Sequence, residues 1–481
     1  MPDYIEWIDS SFELTAGTTI YVSPGTQDIR NIALFLADRI NVSTGLNIKV
    51  LTAKEIIEKR SINLTIENDS TLGEEGYELS VKTEVVKLKA NSPSGLFHGV
   101  QTIRQLLPPS IECSTIQSSK WKMQNVIIRD LPRFEWRGAM LDVARHFFSV
   151  NDVKRFIDLL AYYKMNRFHI HLTDDQGWRL MINSWPNLAL YGGSTQVDSD
   201  SGGYYTQSEY SEIVEYARQR YICVIPEIDM PGHTNAALAS YPMLNYNNTA
   251  PALYKKIEVG FSALSVYKDS TYIFIEDVIK ELCTITPGPY IHIGGDEANT
   301  MNSDDYIRFI ERVQGIILSR NKHMIGWGEI SACHLFPSTI VQHWEGSGAQ
   351  KAAQQGIKII MSPASRAYLD MKYNTSETLG QNWAGYIEVK DAYEWDPCSK
   401  QSGVTEADVV GVEAPLWTET IRTMADIEYM ALPRLAGYAE IGWSKQSKRY
   451  WDDYKIRLAE HGKRLTAMGI NFYKSPQIYW K

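Results

Sequence analysis

Eight strand-like apolar runs recur from residue 134 onward, and they constrain the fold of this chain more than any other feature. The runs cover residues 138–143, 167–172, 223–228, 290–293, 323–327, 339–344, 358–361 and 409–417. Amphipathic helices are predicted between several of them, most clearly at 153–163, 210–220 and 304–320. Eight βα repeats of this length predict a TIM barrel. The alternative is an open doubly wound sheet, but no GxGxxG motif follows an early strand.

The first 130 residues predict a separate and smaller α+β domain. Its strands are expected at 19–22, 47–51, 76–81 and 85–90, and its helices at 29–40 and 96–107. No catalytic constellation is visible in this part of the chain. We therefore predict an N-terminal domain of residues 1–130 and a TIM-barrel catalytic domain of residues 131–481, which ends in a closing helix at 451–468.

Charged and aromatic side chains follow every predicted barrel strand. In a TIM barrel, functional side chains lie at the C-terminal ends of the strands. In chain order those ends carry Asp142 and Arg145, His171 and Asp174, Asp229 and His233, Asp296 and Glu297, Trp327 and Glu329, Trp344 and Glu345, Tyr368 and Asp370, and Trp417 and Glu419. Carboxylates and an arginine bind hydroxyls, and aromatic faces stack on apolar ring faces. The pattern therefore predicts a sugar site, since a phosphate ligand would require more Lys and Arg.

The adjacent carboxylates Asp296 and Glu297 follow a short apolar run and two glycines. An isolated Asp-Glu pair is most often a helix cap, but at a barrel strand end with a sugar-like pocket it indicates glycoside hydrolysis. Most glycosidases place two carboxyls about 5 Å or more apart across the scissile bond, whereas neighbours on a strand point in different directions. A substrate that supplies its own nucleophile, a 2-acetamido carbonyl, removes this conflict.

Two other catalytic arrangements are less consistent with the sequence. A metal cluster could be built from His169, His171, Asp174, Asp175 and His233. However, His169 and His171 alternate with apolar neighbours, as packed core histidines do, and we predict no metal. A Ser-His-Asp triad lacks its GxSxG elbow.

Composition narrows the partners. The formal net charge is −9 and no Lys/Arg cluster occurs, which argues against nucleic acid and anionic membranes. The sequence contains no run of 18 apolar residues, so no membrane span is predicted. Its five cysteines include no CxxC pair and predict neither disulfides nor a zinc site. The N-terminus shows no signal peptide, so we expect a cytoplasmic protein; a signal peptide removed ahead of this sequence would leave secretion open.

Several motifs, in order, resemble those of family-20 glycoside hydrolases, the β-N-acetylhexosaminidases. The signature-like run is His292-Ile293-Gly294-Gly295-Asp296-Glu297-Ala298. Further similar stretches lie at 95–102, 137–147, 171–179 and 229–233. The resemblance implies an exo-acting, retaining enzyme without a cofactor, acting on glycans or glycoconjugates that end in N-acetylhexosamine. A homodimer stays open as a further partner.

The resemblance also implies a role for each site residue. Asp296 would orient and polarise the acetamido group, and Glu297 would protonate the leaving oxygen and then activate water. Arg145, Asp370 and Glu419 would bind ring hydroxyls, and Tyr368 the acetamido carbonyl. Trp327, Trp344 and Trp417 would wall the sugar, while Asp174 and His233 would support the acid/base residue.

Two other functions are less consistent with the sequence, and one segment is expected to be a loop. A non-catalytic sugar-binding protein on the same scaffold is disfavoured by the intact Asp296–Glu297 pair. A chitinase-like endo enzyme is disfavoured because no DxxDxDxE run occurs. The Gly/Ser-rich segment 190–205 is expected to be a mobile loop near the mouth that influences leaving-group preference.

Overall fold

The protein, described by a computed structural model over residues 1–399 and 401–481, divides by its contacts into two units. The first comprises Met1–Arg133, Tyr162–Lys164 and Ala439–Lys481, and the second Phe134–Ala161 and Met165–Tyr438. The C-terminal residues are therefore grouped with the N-terminal ones, although the sequence prediction placed them in the barrel domain. In the described residues, none of the helices combines the length and apolarity needed to cross a bilayer.

A seven-stranded mixed sheet forms the centre of the first unit. Its strands are β1 (Tyr4–Glu13), β2 (Thr19–Val22), β3 (Lys49–Thr52), β4 (Ser61–Ile66), β5 (Tyr77–Val81), β6 (Val85–Ala90) and β7 (Lys122–Asp130), in the order β1-β7-β5-β6-β4-β2-β3. The pairs from β1 to β6 are antiparallel and those from β6 to β3 are parallel. Helices α1 (Gln27–Thr44) and α2 (Pro93–Leu106) pack against this sheet. The predicted α+β class is confirmed.

Three strands of this sheet were not predicted from the sequence. Strand β1 is an edge strand with mostly exposed side chains, so it lacks the alternation that marks a half-buried strand. Strand β4 is buried over its first four residues, and β7 has a polar start.

The second unit contains a closed barrel of eight parallel strands, which confirms the predicted TIM barrel. The strands and one hairpin are, in chain order, β8 (Trp136–Asp142), β9 (Arg167–His171), the hairpin β10 (Thr173–Asp174) and β11 (Gly177–Trp178), then β12 (Cys223–Glu227), β13 (Tyr290–His292), β14 (His323–Trp327), β15 (Ile340–His343), β16 (Lys358–Met361) and β17 (Val409–Leu416). Strand β17 pairs with β8 and closes the barrel.

Helices connect the barrel strands and continue to the C-terminus. They are α3 (Val150–Tyr162), α4 (Asn187–Leu190), α5 (Gln207–Arg218), α6 (Asn235–Ser240), α7 (Asp269–Ile285), α8 (Ser303–Ser319), α9 (Gly348–Gln354), α10 (Ala364–Ala367), α11 (Val389–Tyr393), α12 (Met424–Ala431), α13 (Arg434–Trp443) and α14 (Trp451–Ala467). Local sequence fixes several starts: Thr206 and Glu209 form a capping box at α5, and Asn302 caps α8.

The barrel interior changes from apolar to polar towards the site. An apolar cluster that includes Ile225, Ile325 and Ile340 fills its lower part. Two residues further along the same strands, and hence on the same inward face, stand Glu227, Trp327 and Gln342, all buried. A polar layer therefore lies directly under the C-terminal ends of the strands.

Candidate active site

A cavity of about 350 Å³ opens at the C-terminal ends of the barrel strands. This volume is at the lower end of the range of about 300–1,000 Å³ for small-molecule sites. Its predicted aromatic lining consists of Trp327, Trp344, Tyr368 and Trp417. Its predicted charged lining consists of Arg145, Asp296, Glu297 and Glu419. The other predicted residues, Asp174, His233 and Asp370, are buried behind this lining.

A tight turn presents the two adjacent carboxylates. Strand β13 ends at His292, and Gly294, Gly295 and Glu297 then have φ of 66°, 92° and 46°. A Cβ atom at Gly294 would lie 1.8 Å from Oδ1 of Asp229, so only glycine fits there. The Gly295 N–H donates to the same oxygen (3.3 Å). The turn, and not the alternation of a strand as we had expected, therefore sets the directions of Asp296 and Glu297.

The imidazole of His233 lies between both carboxylates. Its Nε2 is 3.3 Å from Oε2 of Glu297 and 3.5 Å from Oδ2 of Asp296, while Nδ1 is 3.2 Å from Oδ1 of Asp174. Burial lowers the pKa of His233, but Asp174 and Asp296 outweigh burial and raise this pKa well above its usual value. A cation thus faces the pair from below.

Asp296 resists ionisation more than an ordinary aspartate. Burial raises its pKa most; His233 lowers this pKa, and Glu227 and Glu297 raise it, with a result of about 6. Burial and the charge of Asp296 also raise the pKa of Asp229 well above its usual range. Asp296 and Asp229 are therefore two neighbouring buried carboxyls whose pKa values are both raised by burial, and that of Asp229 also by the charge of Asp296.

Arg145 is a buried cation held by two carboxylates. Its Nη2 is 2.8 Å from Oδ2 of Asp174 and its Nη1 is 3.3 Å from Oδ2 of Asp142. Its guanidinium carbon lies 4.8 Å from the ring centroid of Trp417. The Ala144 N–H donates to Oδ1 of Asp142 (2.7 Å), which fixes the arginine at the cavity wall.

Asp370 and Glu419 form an acidic corner beside Arg145. Burial, followed by the charge of Glu419, raises the pKa of Asp370 well above its usual range. Burial also raises the pKa of Glu419, although Arg145 opposes this. Within the described chain, Oδ2 of Asp370 and Oε2 of Glu419 have no hydrogen-bond partner. Both oxygens are suited to accept hydrogen bonds from ligand hydroxyls.

Two aromatic walls are held by carboxylates, of which Glu227 was not assigned to the site from the sequence and Glu329 was placed at a strand end without this role. The Trp327 indole N–H donates to Oε1 of Glu227 (3.0 Å), and the Trp344 indole N–H donates to Oε2 of Glu329 (3.1 Å). Burial and the charge of Asp296 raise the pKa of Glu329 to about 7. The sequence did contain a signal for Glu227. It lies two residues before Asp229, on the same face of the strand.

The rim of the cavity also differs from expectation. Ile257, Val259 and Trp383 line it, and Trp383 is 53% exposed. Trp383 meets Trp344 and Tyr368 edge-on, with centroid distances of 5.9 Å in both cases. A lone tryptophan in the Gly/Asn-containing stretch 380–385 was the available signal.

The segment 190–205, which we expected near the mouth, does not contribute to the cavity lining. Arg179 holds it from inside: Nη1 donates to the Gly193 carbonyl and Nη2 to the Thr195 carbonyl, both at 2.9 Å. The Val197 N–H donates to the Arg145 carbonyl (3.0 Å). The rim of the cavity instead contains Ile257, Val259 and Trp383.

The histidines considered as metal ligands are hydrogen-bonded to carboxylates. His169 Nδ1 is 2.8 Å from Oε1 of Glu413 and its Nε2 is 2.9 Å from Oε2 of Glu227. His171 Nδ1 is 2.6 Å from the same Glu227 oxygen. They form part of the packed polar core of the barrel, which is the interpretation that their alternation with apolar residues favoured.

Comparisons with known proteins agree with this geometry. Residues 134–446 match glycosyl hydrolase family 20, catalytic domain, and residues 1–131 match domain 2 of the same family. A β-N-acetylhexosaminidase of Cellulomonas fimi is 40% identical over 473 residues, which cover 98% of this chain and 94% of the relative.

Two solved structures are similar over the whole chain. The GH20 β-N-acetylhexosaminidase from Streptomyces coelicolor has a TM-score of 0.96 and 46% identity, with 100% of this chain and 98% of that chain covered. A mutant Streptomyces plicatus β-hexosaminidase in complex with product (GlcNAc) has a TM-score of 0.96 and 46% identity, with 100% and 97% covered. The chain therefore belongs to glycosyl hydrolase family 20, the β-N-acetylhexosaminidases.

Proposed function

We propose that this chain removes terminal, non-reducing GlcNAc or GalNAc from glycans as an exo-acting, retaining β-N-acetylhexosaminidase whose substrate supplies the nucleophile. The observation that carries the proposal is the convergence of Asp296 and Glu297 on Nε2 of His233, beside an aromatic-walled cavity. Two carboxylates on one side of a site are poorly placed to flank a bond as acid and nucleophile. They can instead divide the work on an acetamido sugar.

In the first step, Asp296 accepts a hydrogen bond from the acetamide N–H and favours attack of the acetamido oxygen on C1. Glu297 gives its proton to the departing glycosidic oxygen, and an oxazolinium ion forms. In the second step, Glu297 accepts a proton from water as the water attacks C1, and the configuration is retained. The ionised Asp296 stabilises the positive charge of the oxazolinium ion.

The remaining residues of the site would hold the sugar. Arg145 would donate to ring hydroxyls, and the partner-free oxygens of Asp370 and Glu419 would accept from them. Trp327, Trp344 and Trp417 would enclose the acetamido group and the ring, and Tyr368 would donate to the acetamido carbonyl. The formal net charge of −9 is consistent with a neutral glycan rather than nucleic acid as partner.

A substrate comparison tests the proposal. The wild-type protein should hydrolyse p-nitrophenyl-β-GlcNAc, or its GalNAc counterpart, and should leave p-nitrophenyl-β-glucose essentially intact, because the glucoside has no acetamido nucleophile. Initial rates of p-nitrophenol release measure this. Comparable turnover of the glucoside would exclude substrate assistance, and binding of GlcNAc without turnover of any glycoside would indicate a sugar-binding protein.

The pH profile should reflect Asp296. Since the reaction needs its carboxylate form and its pKa is raised to about 6 by burial and by neighbouring carboxylates, kcat/KM is expected to fall as the pH decreases through about 6. Above this pH the carboxylate is fully formed and this limb is flat. Rates on p-nitrophenyl-β-GlcNAc between pH 4 and 8 provide the measurement; an acidic limb centred near the ordinary aspartate value of ~4 would contradict it.

A further inference from the structure

A chain of alternating carboxylates and imidazoles runs through the barrel interior beneath the active site. We call it the buried column: Glu413, His169, Glu227, His171 and Asp174, all at most 1% exposed. Successive members lie 2.8, 2.9, 2.6 and 2.8 Å apart. TIM-barrel interiors are usually filled by branched apolar side chains, so this polar filling calls for a role.

Glu227 is the branching point of the buried column. Its Oε2 faces His169 and His171, and its Oε1 lies 3.1 Å from Nδ1 of His292 and 3.0 Å from Nε1 of Trp327. Burial opposes the charge of Glu227, but His171, His292 and His169 together hold its pKa well below the usual range. A fully buried carboxylate that accepts from the Trp327 indole N–H on Oε1 and is hydrogen-bonded to His171 Nδ1 on Oε2 is fixed in position.

One branch from Glu227 reaches the cavity wall directly. The indole N–H of Trp327 donates to Glu227, and the Trp327 ring packs 5.8 Å from that of Trp417. Both rings line the cavity. The orientation of this wall therefore depends on Glu227.

The other branch reaches the acid/base residue through three links. His171 joins Glu227 to Asp174, and Asp174 holds Arg145 with one oxygen and His233 with the other. His233 then faces Glu297 at 3.3 Å. The sugar-binding arginine and the histidine beside the acid/base residue thus share a single support, whose orientation is set through His171.

We propose that Glu227 is a positioning residue of the reaction, which fixes the acetamido wall through Trp327 and the acid/base residue through His171 and Asp174. This inference rests on the proposed function. It differs from a purely structural role, because a residue that only stabilises the fold would leave the kinetic behaviour of the folded enzyme unchanged.

Glu413 provides a matched control inside the same column. It is equally buried and accepts from His169, Gln342 and Trp136 at 2.8, 2.9 and 2.9 Å. It contacts neither Trp327 nor His171 among the described contacts. Its loss should therefore affect stability as that of Glu227 does, without reaching the site.

The experiment compares Glu227→Gln with Glu413→Gln on p-nitrophenyl-β-GlcNAc. We expect Glu227→Gln to lower kcat/KM about 10²-fold, the size of loss that follows a misplacement of reacting groups by about 1 Å, with KM raised and kcat lowered. Glu413→Gln should retain most of the wild-type kcat/KM, although its melting temperature should be similar to that of Glu227→Gln. Equal losses in the two folded variants, or wild-type kinetics in Glu227→Gln, would overturn the proposal.

The pH profile separates positioning from bracing. The titratable groups around Asp296 are Glu227, Asp229, His233, Glu297, Tyr306, Glu329 and Tyr368. Of these, Glu227 is a carboxylate of the buried column, and its negative charge raises the pKa of Asp296. In Glu227→Gln the acidic limb should therefore move to lower pH, while in Glu413→Gln it should stay in place. An unmoved limb in Glu227→Gln would count against the proposal.

His171→Gln keeps the test decisive if Glu227→Gln does not fold. A glutamine amide can donate to Glu227 or Asp174 but does not reproduce the imidazole bridge, so kcat should fall, more for poor leaving groups. KM should rise as well, because the sugar-binding Arg145 is held by the same Asp174. Unaltered kcat and leaving-group dependence would refute the proposal. An inactive wild-type protein would instead reject the proposed function itself, so the two failures are distinguishable.

Discussion

Glu297→Gln should lose about 10²–10⁴-fold in kcat on a natural disaccharide, the usual contribution of general acid–base catalysis. On a dinitrophenyl glycoside the loss in the first step should be much smaller, because that leaving group departs without a proton. The amide keeps the size of the carboxylate and its approach to His233, so binding should change little. Values of kcat/KM on both substrates with one enzyme preparation provide the measurement, because kcat/KM reports the first step and excludes the second, in which Glu297 acts as the base.

This comparison carries its own control. A variant that had merely distorted the cavity would lose activity on both leaving groups in equal proportion. Full activity of Glu297→Gln on the disaccharide would show that another group acts as the acid.

Asp296→Asn should lose about 10²–10³-fold in kcat, the size of effect seen when one group that stabilises transition-state charge is removed. Unlike Glu297→Gln, it should lose activity on good and poor leaving groups alike, since ring closure by the acetamido oxygen is needed for both. A leaving-group dependence like that of Glu297→Gln would contradict the assignment of the two roles.

The same variant should be more stable than the wild type at neutral pH. The pKa of Asp296 is about 6 in the folded protein and ~4 in an unfolded chain, so above pH 6 the folded state carries a charge that it disfavours. A difference of about two pKa units corresponds to about 3 kcal/mol. The gain in free energy of unfolding should be full above pH 6 and should fade as the pH falls towards 4. The melting temperatures of the variant and the wild type, compared at pH 7 and at pH 4.5, provide the measurement.

The barrel could be predicted because each strand is an apolar run and the functional residues of the fold follow those runs. Arg145, Asp296, Trp327 and Glu419 are far apart in the sequence, yet their places after successive strands predicted that they meet, and they line one cavity. The barrel topology accounts for most of the predicted site, since it brings the C-terminal ends of all strands to one face.

Other features depend on contacts that no local pattern encodes. Glu227 and Glu413 stand within apolar strands. Pairing of β12 with β9 brings Glu227 to His169, and closure of the barrel through β17 and β8 brings Glu413 there. Trp383 belongs to a loop, whose path is set by what it packs on. The grouping of Ala439–Lys481 with the first unit rests on contacts such as that of Arg464 with the Arg104 carbonyl (3.2 Å), across 360 positions of sequence.

The small cavity has a consequence for polymeric substrates. If Arg145, Asp370 and Glu419 hold the ring hydroxyls of the bound sugar in a space of about 350 Å³, as proposed above, the glycan continues only from the leaving-group side of that ring. The rate on a polysaccharide should then follow the number of chain termini rather than the mass of polymer. A sample cut beforehand into short pieces by an internal cleavage would release monosaccharide faster, gram for gram, than the intact polymer.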